Sequence, residues 1–138
     1  MLTHIARNEE LWDAFVLENG GGFLQSWGWA QLQESLGRNV YRYRIDRPGS
    51  GEAHEDTVAQ FSLIIHPLPF GRRYAYVPRG PVMRAGESDI GARFQTFIGS
   101  LRELIGREGL VFARVEFPYA RQDGPVGADE IGKSGFLN

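Results

Sequence analysis

Two segments near the start of the chain carry apolar residues at helical spacing. In the first, residues 8–22, Asn8 is a suitable N-cap and the glycines at 20–22 end the helix. Its predicted buried positions are Leu11, Trp12 and Phe15. In the second, residues 23–37, Ser26 is the predicted cap and Gly37 the stop. Its predicted buried face is Trp29, Leu32 and Leu36.

The spacing of apolar residues then changes to the alternation that is typical of strands. Residues 39–46, 57–66 and 73–78 alternate in this way, and polar turns rich in Gly and Pro separate them. In the middle strand Ala59, Phe61, Leu63 and Ile65 share one face, and Gln60, Ser62 and Ile64 share the other. Short connections between consecutive strands predict an antiparallel meander.

A long amphipathic helix follows, over about residues 88–108. Ser88 is its predicted cap and Gly109 its stop. The predicted apolar stripe is Ile90, Phe94, Phe97, Leu101, Leu104 and Ile105. A fourth strand (110–117), a loop (118–127) and a short helical piece that ends near Gly135 complete the chain.

The order of these elements predicts the fold class. A helix between the third and fourth strands allows a parallel crossover beside the meander. We therefore expect an α/β domain with an acetyltransferase-like mixed sheet, mainly antiparallel, and flanking helices. Its 138 residues fit one domain, 1–138.

Composition narrows the classes of function. A net charge of −2 argues against general nucleic-acid binding through phosphate neutralisation. The absence of cysteine excludes disulfides, zinc–thiolate sites and thiol nucleophiles. No apolar run approaches the roughly 18 residues of a membrane span, and the acidic start is unlike a signal peptide. We expect a cytoplasmic protein.

Candidate chemistry is concentrated at two strand ends. Residues 79–81 are Arg-Gly-Pro at the end of the third strand. The glycine would let the backbone approach a ligand, and the arginine would supply hydrogen-bond donors. The alternative interpretation is a turn with an exposed arginine. Arg114 and Glu116 are two residues apart, so they share a face, either as a surface ion pair or as a carboxylate placed to bind or deprotonate an amine. The histidines show no metal spacing, and His66 beside Pro67 is interpreted as a hydrogen-bonded structural residue.

Four motifs follow one another along the chain: QSWGW near the start of the second helix, YVPRGP at 76–81, RVEFP at 114–118 and a final GF at 135–136. Together they resemble the Fem family, the aminoacyltransferases that build peptidoglycan interpeptide bridges. The resemblance runs from about Trp12 to Phe136 and rests on the order and spacing of these motifs.

The resemblance implies two acetyltransferase-like subdomains, of which this chain would be the first and the second would be missing. It implies transfer of an amino acid from aminoacyl-tRNA to a stem-peptide amine, with no metal or cofactor. The partners would be aminoacyl-tRNA and a lipid-linked or nucleotide-linked muropeptide, met at the inner face of the membrane. A chain lacking the second subdomain, as a fragment or from a truncated gene, is expected to be inactive alone and to self-associate through an exposed apolar face.

Site residues are carried over position by position. Glu116 matches an acidic position near the reacting amine, although Phe117 stands where the family has proline. Tyr76, Arg79, Gly80 and Arg114 belong to the matched strand ends and would bind substrate. Gln33 matches a position where some members carry a phosphate-binding lysine; glutamine lacks that charge, and Arg38 or Arg79 would have to supply it.

Two other classes of function stay open at this point. One is an N-acyltransferase that uses an acyl thioester, although residues 84–92 only loosely match its pyrophosphate-binding run. The other is a non-catalytic module that binds the precursor.

Overall fold

The computed structural model describes residues 1–49, 54–118 and 136–137. The helices are α1 (Glu9–Glu18), α2 (Trp27–Ser35) and α3 (Ile90–Glu108). The strands are β1 (Leu2–Ile5), β2 (Val40–Asp46), β3 (Thr57–Pro67), β4 (Arg73–Val77), β5 (Val82–Met83), β6 (Ala113–Val115) and β7 (Phe136–Leu137). The predicted short final helix and the loop before it lie almost wholly outside the described residues.

One mixed sheet organises these elements. Its strand order is β1-β2-β3-β4-β6-β7, and β5 pairs with β3. The β2-β3-β4 meander is antiparallel, and β4 and β6 are parallel across the α3 connection. The predicted mixed, mainly antiparallel sheet with flanking helices is therefore confirmed.

The main core lies between α3 and one face of the sheet. Phe94, Phe97, Leu101 and Leu104 are all buried, as their helical spacing predicts. The ring of Phe97 meets that of Phe61 on β3 edge-on, with centroids 4.8 Å apart. Gly109 ends α3 in the left-handed conformation (φ 64°), which glycine adopts without steric cost.

The other face of the sheet is covered only in part, by α1, α2 and the turn between them. Trp12, Phe15 and Val16 of α1 are buried there. The amide of Gln60 on β3 donates to the carbonyl of Trp12 at 2.8 Å, so polar strand residues lie beneath α1. The opposite half of this face, over β4 and β6, carries half-buried and exposed side chains.

The predicted buried face of α2 is wrong. Leu32 and Leu36 are 47% and 63% exposed, and the buried residues are Ala30 and Gln33. The sheet surface beneath this layer includes the polar residues Gln60 and Ser62, and the small Ala30 permits close approach.

Smaller corrections concern helix ends and short strands. Leu11 is 40% exposed, and Val16 takes its place in the buried stripe of α1. Asp89 rather than Ser88 precedes α3, and its carboxylate pairs with Arg93 at 2.9 Å instead of capping the helix. The fourth strand begins at Ala113 and not at Leu110. The backbone N–H of Leu110 instead donates to the carbonyl of Ile105 at the end of α3.

Three strands were not predicted at all: β1, β5 and β7. Each has only two to four residues, too few to show an alternating pattern. Pairing positions them instead, since β1 lies along β2 and β7 along β6. Among the described residues, no helix combines the length and apolar character needed to cross a membrane.

Candidate functional site

The parallel pair of β4 and β6 brings the two predicted strand ends together. Beyond the last ladder pair, the backbone N–H of Glu116 donates to Val77 at 3.0 Å, and that of Gly80 donates to the Glu116 carbonyl at 2.9 Å. The turn that holds Arg79 and the strand end that holds Glu116 are thus fixed beside each other.

The side chains of Tyr76, Arg114 and Glu116 form one cluster on the partly covered face. The Tyr76 hydroxyl donates to Glu116 Oε2 at 2.7 Å, and Arg114 donates to Glu116 Oε1 at 2.9 Å. The Arg114 guanidinium also lies 5.3 Å from the centre of the Tyr76 ring. The predicted shared face of Arg114 and Glu116 is confirmed.

This cluster remains accessible to a ligand. The Glu116 side chain is 36% exposed and that of Arg114 is 48% exposed. Each carboxylate oxygen has accepted one hydrogen bond and can accept another. Glu116 can therefore receive an ammonium group from solvent while Tyr76 and Arg114 keep its orientation.

Partial burial affects the chemistry of Tyr76. Desolvation, followed by the hydrogen bond to the Glu116 carboxylate, raises the pKa of Tyr76 to about 12. Tyr76 therefore stays protonated at neutral pH and acts as a donor to the carboxylate, not as a base.

A row of aromatic rings extends the cluster across the sheet. The ring of His66 stacks on that of Tyr74, with centroids 5.4 Å apart, and the Tyr74 ring stacks on that of Phe112, with centroids 5.0 Å apart. The His66 ring also lies 5.8 Å from that of Tyr76. The sequence gives one signal for this row: His66 has the same strand parity as Ser62 and Ile64, so it faces away from the core.

The interpretation of His66 as a hydrogen-bonded histidine is wrong. Its Nε2 is buried and has no hydrogen-bond partner among the described residues. Burial and the nearby charge of Arg38 lower the pKa of His66, so the ring is neutral at pH 7. The row therefore includes a neutral imidazole beside the Tyr76–Glu116 pair.

Gln25 holds the turn after β4 in place, although its role was not predicted. Its side chain is fully buried, its Oε1 accepts from the Ser62 N–H at 2.8 Å, and its Nε2 donates to the Pro78 carbonyl at 2.5 Å. A Cβ on Gly80 would lie 2.9 Å from Gln25 Nε2. Packing against Gln25 therefore explains a glycine at position 80.

The remaining candidates occupy different surroundings. Arg79 is exposed, and its backbone has a positive φ of 49°, a conformation that is uncommon outside glycine. Gln33 is buried on α2, and its Oε1 accepts a hydrogen bond from Arg38. The structure thus groups Tyr76, Arg114 and Glu116 beside Gly80, whereas Gln33 is bonded to none of them.

Other features of the described residues lie outside this cluster. No group of three or more potential ligand residues is placed to hold a metal ion within residues 1–49 and 54–118. A cavity of about 560 Å³ lies between β1, α1 and β2, and residues such as Trp12, Arg44 and His54 line it. It contains none of the predicted site residues.

Comparison with known proteins yields structural matches only. No protein-family model matches the sequence, and no curated protein matches it significantly. The crystal structure of FemX aligns with a TM-score of 0.73 at 19% identity, over 95% of this chain and 30% of the FemX chain. An acetyltransferase from Trypanosoma brucei aligns with a TM-score of 0.60 at 14% identity, over 99% of this chain and 92% of that chain.

This chain has the fold of an acetyltransferase and of part of FemX. The resemblance inferred from the motifs is confirmed at the level of the fold. The chain spans less than a third of the length of FemX, so it corresponds to one portion of that protein.

Proposed function

We propose that this chain provides one wall of an aminoacyltransferase site that acts on a peptidoglycan precursor. The amino acid would come from aminoacyl-tRNA and the acceptor would be a stem-peptide amine. The observation that carries the proposal is the accessible Glu116 carboxylate, held by Tyr76 and Arg114 where β6 ends. The likeness of the fold to FemX and the order of the four motifs support it.

In this proposal Glu116 binds and orients the acceptor amine. Its carboxylate attracts the ammonium form, receives one of its protons and leaves the nitrogen lone pair free to attack. A C–N bond then forms at the ester carbonyl, the ester C–O bond breaks, and the ribose oxygen of the tRNA leaves with a proton. Holding the amine close to the ester supplies the orientation that such a transfer needs.

Arg79 is the residue proposed to contact precursor phosphate. Arg79 is exposed in the turn that is bonded to the Glu116 strand end, whereas Gln33 is buried and bonded to Arg38. Guanidinium forks suit phosphate oxygens. The second subdomain proposed as a partner follows from the Fem resemblance. The proposed location at the inner membrane face follows from it as well.

The second candidate is an N-acyltransferase that uses an acyl thioester. The acetyltransferase fold favours it, since the aligned part covers 92% of that enzyme. However, Glu87 and Asp89 precede α3, where acetyltransferases bind pyrophosphate, and Arg93 is turned into the protein to pair with Asp89 and the Arg84 carbonyl. The carboxylates of Glu87 and Asp89 already pair with Arg47 and Arg93, so neither guanidinium is free to bind a pyrophosphate. Saturable binding in a titration with acetyl-CoA would favour this candidate over the first.

Single-turnover transfer from charged tRNA tests the first candidate. In a protein that contains this chain and a second subdomain, Glu116→Gln keeps the shape of the side chain and removes its charge. We expect transfer to slow by roughly 10²-fold if Glu116 assists deprotonation. Glu103→Gln, on the exposed surface of α3, is the matched control and should keep the wild-type rate. A wild-type rate in Glu116→Gln would leave Arg114–Glu116 as a structural ion pair.

The same assay separates an enzyme from a binding module. If the assembled protein binds the precursor but transfers nothing, the chain is a non-catalytic module. The 138-residue chain alone is expected to bind without transferring, because the proposed site needs a second wall.

A further inference from the structure

The turn between β3 and β4 presents an apolar tip to solvent. Phe70 is 98% exposed and adopts a left-handed backbone conformation with φ 64°. Leu68 and Arg72 close the turn through a 2.7 Å backbone hydrogen bond. A phenylalanine at this position is not buried. Its backbone conformation is also strained, because left-handed conformations crowd its Cβ. Neither cost is offset by a contact that the described residues make with the ring.

Two other connections reach the same end of the sheet. Ile65 donates to the Asn39 carbonyl at 2.9 Å, which places the link from α2 to β2 beside the end of β3. Val111 donates to the Arg73 carbonyl at 3.0 Å, which places the link from α3 to β6 beside the start of β4. We call residues 36–39, 67–73 and 107–112 the hairpin end. Leu36 and Val111 add exposed apolar surface to it, at 63% and 39% exposure.

The hairpin end is also basic. It contains one acidic residue, Glu108, and four arginines, which are Arg38, Arg72, Arg73 and Arg107. Glu108 is already engaged, since its carboxylate accepts from the Tyr41 hydroxyl at 2.6 Å and lies 3.7 Å from Arg107. The whole chain has a net charge of −2, so this excess of cations is local. Elsewhere along α3, Arg102 and Glu103 balance each other.

We propose that the hairpin end docks on a lipid bilayer that carries anionic headgroups. Phe70 and Leu36 would enter the boundary between headgroups and acyl chains. Arg72 and Arg107, the two exposed arginines of this end, would contact the lipid phosphates. One fully exposed aromatic ring beside a local excess of arginines matches the chemistry of that boundary. The proposal does not depend on the chemistry at Glu116, and it would hold for a non-catalytic chain.

Vesicle sedimentation tests the proposal with the 138-residue chain. Wild type should sediment with vesicles of phosphatidylcholine and phosphatidylglycerol at low salt, and not with phosphatidylcholine alone. Raising the salt concentration should release it, because the attraction to anionic lipid is screened. No sedimentation with the anionic vesicles would overturn the proposal.

Variants separate docking from folding. Phe70→Asn removes the ring and suits a left-handed backbone, so it should fold at least as well as wild type while binding vesicles about tenfold more weakly. Arg72→Glu should weaken binding to a similar extent. Phe23→Ala removes another exposed phenylalanine, which precedes α2 at the opposite end from Leu36, and should bind as wild type does.

Two results with Phe70→Asn would contradict the proposal. One is binding equal to that of wild type. The other is a dimer of the wild-type chain, seen by light scattering without lipid, that is lost in Phe70→Asn. The hairpin end would then be a contact with a second copy of the chain. A fall in binding with an unchanged mass and an intact circular dichroism spectrum would support docking.

Discussion

At the scale of single residues, Glu116 is notable for the two donors that hold it without covering it. Tyr76 approaches from the neighbouring strand and Arg114 from two positions earlier on β6. The exposed ion pair alone would stabilise the fold by only about 0–1 kcal/mol. The proposal that this cluster binds a ligand therefore rests on its accessibility and on its position at a strand end, and not on a contribution to stability.

His66 gives the residue-scale prediction. Burial lowers the pKa of its imidazole in the folded chain below the ordinary value of about 6.5, so the unfolded chain binds more protons near that pH. The contribution of His66 to stability is therefore fully present above about pH 6.5 and is lost as the pH falls through the folded pKa. The pKa follows from an NMR titration of the imidazole, and His66→Gln should remove this part of the pH dependence of unfolding. A folded pKa at or above that of the unfolded chain would contradict the prediction.

At the scale of elements, α2 shows how burial depends on the partner surface. Its apolar residues Trp29 and Leu32 have suitable helical spacing, yet α2 buries Ala30 and Gln33. Trp29 instead meets Phe23 edge-on at 5.6 Å, near the surface. The predicted self-association through an exposed apolar face stays a prediction.

Gln25 gives the element-scale prediction, because it joins the turn before α2 to β3 and to the turn after β4. Gln25→Leu has a similar volume but leaves the Ser62 N–H and the Pro78 carbonyl without their partner. Each unpaired buried group costs about 1–3 kcal/mol, so the free energy of unfolding in urea should fall by about 3 kcal/mol. Gln31→Leu, on the exposed side of α2, should change it by less than about 0.5 kcal/mol. Equal stability of the two variants would show that Gln25 does not hold the turn.

At the scale of the whole molecule, long periodic segments were predictable and short ones were not. The 19 residues of α3 and the 11 of β3 carry enough repeats to identify their type. For α3 the repeats also identify the buried face, whereas β3 is buried on both faces over residues 57–65. The two residues of β5 carry no such signal, and only pairing with β3 positions them.

The candidate site was predictable for the same reason. Strand parity placed Arg114 and Glu116 on one face, and the motif order indicated Tyr76. The contributions of His66, Tyr74 and Gln25 arise from contacts between strands and between layers, which one sequence does not specify. The hairpin end is likewise visible only once three connections meet at one end of the sheet.

Calorimetric titration of a nucleotide-linked muropeptide into the 138-residue chain tests most directly whether the Tyr76–Arg114–Glu116 cluster receives the acceptor amine. We predict saturable binding that Glu116→Gln weakens by about tenfold and Glu103→Gln leaves unchanged, since a charged hydrogen bond is lost only in the first. Acetylation of the acceptor amine should weaken binding to wild type but add little to the effect of Glu116→Gln. No saturable binding, or equal affinity of wild type and Glu116→Gln, would contradict the account.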